Sequence, residues 1–222
     1  YHLVYDLDTF GGYGIESTSG FWANFADATA SAFLLLVGIS LAISYLRASA
    51  GGRSRNLFGK FLRRGLRIFA YGMALTAVFF VLGMGAVVFG ILHLIGVSII
   101  LAYPFLVLKL PNVALGFGCI ALGLYLNDFS VAHPWLAWLG IRPNSFMLDY
   151  WPILPWFGVT LLGVFVGNAL YGEPSKRTPH SYPAASRPLA FLGRHSLPVY
   201  LVHQPVLLAA LILLGFGDVG IP

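Results

Sequence analysis

The chain has 222 residues, of which 58% are hydrophobic, 15% aromatic and only 9% charged, with a mean hydropathy of +0.81. Soluble domains carry roughly 25% charged residues, so this composition excludes a water-soluble globule, a disordered tail and a fibrous repeat. The sequence pI near 9.5 does not indicate nucleic-acid binding, because the 13 Lys and Arg are gathered in short segments between apolar stretches. The single cysteine, Cys119, excludes a disulfide framework and a cysteine-based zinc site.

A hydrocarbon core of about 30 Å takes about 20 apolar helical residues to cross. Tyr1–Phe10 reads as the second half of such a helix, so the first helix is expected to be truncated in this sequence. Six further apolar stretches follow: Phe21–Leu46, Leu66–Leu82, Val87–Leu108, Val113–Leu126, Trp151–Leu170 and Leu189–Leu214. The expected fold is all-α: a polytopic transmembrane helical bundle of about seven helices, forming one domain over residues 1–222. Lys109-Leu110-Pro111 marks a tight turn, since proline cannot continue a preceding helix. Prolines 198 and 205 are expected to kink the last span.

The charges orient this bundle. If the stretch Arg47–Arg67 is a cytoplasmic loop, alternation of the spans puts every basic residue except Arg142 on or near the cytoplasmic side. The acids do the opposite, with only Glu173 inside. The expected localisation is a membrane, multi-pass, with the C-terminus outside.

Ionisable groups inside a membrane span are costly and are mostly functional or paired. At 1.5 Å per helical residue, His93 and Asp27 lie about 9 Å from the outer ends of their helices, and His2 about 12 Å. His203 lies about 21 Å from the cytoplasmic end of the last helix, again in the outer half. Three histidines and an aspartate thus reach one level, and His2, His93 and His203 are expected to line one cavity opening towards the outer half of the bilayer. Asp6 is four residues after His2, on the same helical face, and could pair with it. A purely structural role, bonding one helix to another, stands beside the functional reading for each. No two histidines have the i, i+4 spacing of a metal pair, so no metal is expected; His133 and His180 fall in loops.

The stretch from Phe191 to Pro205 is polar for the start of a span. Arg194 and His195 can meet phosphate at the cytoplasmic face, and Ser196, Tyr200 and His203 follow one another up one helical face.

Four stretches carry a resemblance to a known family. They are Tyr1–Gly11; Ala26-Asp27 with Phe33 and Gly38-Ile39-Ser40; Gly90–Gly96; and Gly193–His203. In that order, with this helix pattern, the chain resembles the heparan-alpha-glucosaminide N-acetyltransferase catalytic-domain family, in its small prokaryotic branch, within a wider transmembrane acyltransferase superfamily. The resemblance implies acyl transfer across the bilayer. An acyl-CoA, in the first instance acetyl-CoA, binds from the cytoplasm, and a sugar or similar hydroxyl or amine acceptor is acylated outside. A histidine serves as general base or acyl carrier, and His2 fits the place of a first-helix histidine of the superfamily. The chain departs from the lysosomal enzymes at two places. Glu16–Gly20 lacks their loop histidine, and His93-Leu94 stands where they have Gln-Arg.

The residue chemistry agrees with that implication. Acyl transfer from a thioester needs a base near neutral pH, which histidine supplies, and a carboxylate such as Asp6 or Asp27 can orient the imidazole. The expected order of catalytic importance is His2, then His203, then His93, which would orient the acceptor or the thioester carbonyl. Arg64, Arg67, Arg194, His195, Ser196 and Tyr200 are the expected CoA-binding set. The expected partners are the lipid bilayer, acyl-CoA and a glycan or other small acceptor, with no nucleic acid; a homodimer is compatible with the sequence. The sequence also admits two other readings: a proton-coupled carrier using the His/Asp cluster, and a scaffold or lipid-binding subunit.

Overall fold

The computed structural model describes residues 1–50, 56–81, 87–131, 134–143, 149–172 and 186–216. Eight α-helices form its described part: α1 (His2–Thr9), α2 (Gly20–Ala50), α3 (Leu57–Val81), α4 (Ile91–Leu101), α5 (Pro111–Leu126), α6 (Ile153–Tyr171), α7 (Arg187–Arg194) and α8 (Ser196–Leu213). The only extended pairings among the described residues are short ones, Ser130–Val131 beside Arg142–Pro143 and a bridge between Phe89 and Tyr150. The chain is all-helical, as expected. By length and composition α2, α3, α6 and α8 can each cross a membrane, while α4 and α5 are shorter apolar helices.

Three helix boundaries differ from the sequence expectation, each for a physical reason. Helix α3 begins at Leu57, so the second half of the expected Arg47–Arg67 loop is helical. The Asn56 side chain accepts the Gly59 N–H at 2.9 Å, capping the helix start. Lys and Arg are good helix formers whose long stems can lie along apolar surface.

The expected span Val87–Leu108 contains a helix of only 11 residues, α4, followed by a 3₁₀ turn at Tyr103–Phe105. Pro104 stands in that turn, where the α-helical hydrogen-bond pattern stops. The expected span Leu189–Leu214 is broken at His195 into α7 and α8. Pro198 therefore falls in the first turn of α8, where a missing N–H costs nothing, while α8 continues through Pro205.

The chain divides into two compact units, residues 1–29 with 178–222, and residues 30–177. In the larger unit, glycines let helices approach closely, the usual device where lipid offers no hydrophobic drive to association. A Cβ on Gly65 of α3 would stand 2.6 Å from the Gly96 carbonyl oxygen of α4. Gly38 of α2 meets the Thr160 carbonyl and Gly163 of α6 in the same way. Leu34, Leu41, Leu94, Ile99, Leu161 and Val164 fill the space between these helices.

The backbone that leaves α4 is the costly part of this unit, because carbonyls outside a helix need donors at membrane depth. Two asparagines supply them. Asn112 Nδ2 donates to the Phe105 and Leu108 carbonyls at 2.9 and 2.8 Å. Asn168 Nδ2 reaches from α6 to the Leu106 and Leu108 carbonyls, both at 3.0 Å.

Candidate functional site

In the smaller unit, α1 and α8 bring together His2, Asp6, Tyr200, His203 and Gln204. The rings of His2 and His203 stand edge to face, with centroids 4.7 Å apart. Tyr200 lies 5.3 Å from His203, and Tyr1 lies 5.8 Å from His2. Asp6 is fully buried. Its Oδ1 accepts a hydrogen bond from Gln204 Nε2, while its Oδ2 is buried with no hydrogen-bond partner among the described residues.

The expected pairing of Asp6 with His2 is thus not made. Both residues lie on one face of α1, but the amide donor from α8 takes the carboxylate and the His2 ring turns to His203. Sequence reasoning misses Gln204, although a glutamine beside His203 within an apolar span is a legible signal.

Hydrogen bonding fixes which ring nitrogen of His203 carries its proton. Nδ1 lies against the Tyr200 carbonyl oxygen. A carbonyl can only accept, so Nδ1 is the protonated nitrogen and Nε2 keeps its lone pair in the neutral ring. His195 is set in the same way, with Nδ1 2.9 Å from the Phe191 carbonyl oxygen.

His93 is the opposite case. It lies in the larger unit, 2% exposed, between Phe69, Phe89 and Gly72. The Gly90 N–H donates to its Nδ1 at 3.2 Å, so the ring proton is on Nε2, which is buried without a partner among the described residues. One residue on, the Ile91 N–H donates to Asp149 Oδ2 at 3.2 Å. His93 and Asp149 together therefore satisfy two free N–H groups at the start of α4. Burial raises the Asp149 carboxyl to about 6, against the opposing pull of the Ile91 N–H and the Trp151 side chain. From the sequence, Asp149 is only an outer-side charge; the loop that folds it onto α4 has no periodic pattern to reveal that contact.

The remaining expected site residues are placed as follows. Asp27 is exposed on the first turns of α2. Asp8, which the sequence does not single out, is taken up by the loop after α1, accepting the Ile15 and Ser17 N–H groups at 2.8 and 2.7 Å. Arg194 ends α7, His195 is the break, and Ser196 opens α8; all three are exposed. Arg64 and Arg67 lie exposed on α3 in the larger unit, where Arg64 lines a cleft with Arg47 and Lys60. His133 and His180 lie outside the described residues.

The family profile described as heparan-alpha-glucosaminide N-acetyltransferase, catalytic, matches residues 1–205. The chain belongs to this family and is an integral membrane protein. No curated protein and no solved structure matches it.

Proposed function

We propose that this chain is a transmembrane acyltransferase that moves an acetyl group from cytoplasmic acetyl-CoA to a hydroxyl or amine of a sugar-like acceptor on the outer side. The observation that carries the chemistry is the His2–His203 pair with its fixed tautomer. His203 is the general base of this reading, ahead of His2. Its Nδ1–H is held by the Tyr200 carbonyl and its Nε2 lone pair is available, whereas His2 lacks the carboxylate partner that put it first.

As the acceptor oxygen or nitrogen attacks the acetyl carbonyl carbon, Nε2 of His203 takes its proton. The carbon–sulfur bond then breaks, and the CoA thiolate recovers that proton from the imidazolium. Asp6, one residue away through Gln204, lends negative charge to the transient cation in a low-dielectric setting. His2 packs on the base and holds its ring in place.

For the anionic end of CoA, the α7–α8 break is the proposed site. Arg194 and His195 stand beside Ser196 at the start of an 18-residue helix, where free N–H groups and the positive end of the dipole favour phosphate. In the reconstituted protein, acetyl-CoA should release free CoA only when an amino-sugar or sugar acceptor is present. Arg194→Glu should weaken acetyl-CoA binding in calorimetry at least tenfold. Unchanged affinity in that variant removes the phosphate site from the reading, and the absence of CoA release with any sugar acceptor removes the activity.

A further inference from the structure

We infer that the cleft between α2 and α3 is a binding site for an anionic phospholipid: Arg47, Lys60 and Arg64 hold the phosphate, and Leu36, Ile39 and Ile43 receive an acyl chain. The cleft encloses about 680 Å³. Its α2 wall rises from Leu36 through Ile39 and Ile43 to Arg47, residues that recur at helical spacing and share one face. Lys60 and Arg64, four residues apart on α3, complete the charged end. From Leu36 to Arg47 the helix climbs about 16 Å, so the site is graded from apolar at one end to cationic at the other.

The cations have no acidic partner among the described residues that line the cleft. The sequence has no Asp or Glu between Asp27 and Asp128, a stretch that includes all of α3, α4 and α5. Phosphate oxygens fit the planar fork of two guanidinium groups and the point charge of an ammonium.

The chemistry of the walls distinguishes a phospholipid from a nucleotide-bearing ligand. Among the described residues the lining has no aromatic side chain on which a base could stack. Instead Leu36 is 61% exposed at the apolar end, open to the place where bilayer acyl chains run. Ser44, three residues before Arg47, puts a hydroxyl at the level of a glycerol ester. The inference does not depend on the acyltransferase reading.

The test uses the full chain in nanodiscs of phosphatidylcholine with or without phosphatidylglycerol, followed by native mass spectrometry and by titration with phosphatidylglycerol. Each Lys or Arg near an anionic surface contributes about a fivefold factor in binding. The variant R47Q/K60Q/R64Q should therefore bind phosphatidylglycerol about a hundredfold more weakly and lose the retained lipid adducts. The charge-preserving variant R47K/R64K should keep most of the binding. R64Q alone, at an exposed helical position, gives the partial loss should the triple variant fail to fold. Equal retention of phosphatidylcholine and phosphatidylglycerol by the wild type would overturn the proposal, as would undiminished phosphatidylglycerol binding in the variants. Displacement of the lipid by inorganic phosphate or by palmitoyl-CoA at lower concentration than by phosphatidylglycerol would assign the cleft to those ligands and likewise overturn it.

Discussion

His203 stands edge-on to His2 with ring centroids 4.7 Å apart, although 201 positions separate them in the chain. The contact joins the two ends of the sequence through α1 and α8. It places a ring with an available Nε2 beside the buried Asp6–Gln204 bond.

Gln204→Leu removes the hydrogen-bond donor that the structure gives Asp6. A buried carboxyl left without its donor costs about 1–3 kcal/mol. The variant should melt earlier in detergent, and the double variant Asp6→Leu/Gln204→Leu should recover part of that loss, because no polar group is then stranded. A double variant less stable than Gln204→Leu alone would contradict the account.

Asn168→Leu strips the side-chain donor from the Leu106 carbonyl and leaves the Leu108 carbonyl with Asn112 alone. The expected loss of stability is about 1–3 kcal/mol, larger than for an exposed polar-to-leucine change such as Asn24→Leu, whose side chain bonds only its own helix at the Gly20 carbonyl. Thermal melting of the two variants side by side makes the comparison.

Asp149 makes stability depend on pH in a definite direction. Its carboxyl is raised from the ordinary 3.8 to about 6 by burial, so the folded chain holds this proton more tightly than the unfolded chain. Its contribution is fully present below pH 3.8. It falls as pH rises to about 6 and is then gone. Asp149→Asn keeps an acceptor for the Ile91 N–H and removes the titration. The melting temperature of the variant should exceed that of the wild type at neutral pH, and the gap should close on acidification through this window. A gap independent of pH would show that Asp149 does not titrate there.

These contacts also show where the sequence is informative. The membrane class is plain from the scarcity of charge and from acids and bases segregating between spans. The meeting of His2 and His203 is legible too, since helical rise puts both residues at a similar level of their expected spans, and the two rings do meet. What escapes is the choice of neighbour. Helical spacing alone allows Asp6 to face His2, but which helix packs against α1, and therefore that Gln204 supplies the donor, is a tertiary fact. The start of α3 is hidden for another reason: a cluster of Lys and Arg has the look of a loop, while its backbone preference is helical. The end of α4 is marked by Pro104 within an apolar run, a local signal outweighed by hydropathy. Asp149 is hidden because its contact to α4 spans 58 positions.

The most direct measurement is acetyl transfer by His203→Ala under conditions that saturate the donor, alongside acetyl-CoA affinity by calorimetry. Loss of a general base costs ~10²–10⁴ in rate, so turnover should fall by that factor while affinity stays within a few-fold of wild type, and His2→Ala should lose less. Near-normal turnover in His203→Ala, or a loss explained wholly by weaker acetyl-CoA binding, would contradict the role of His203 as general base.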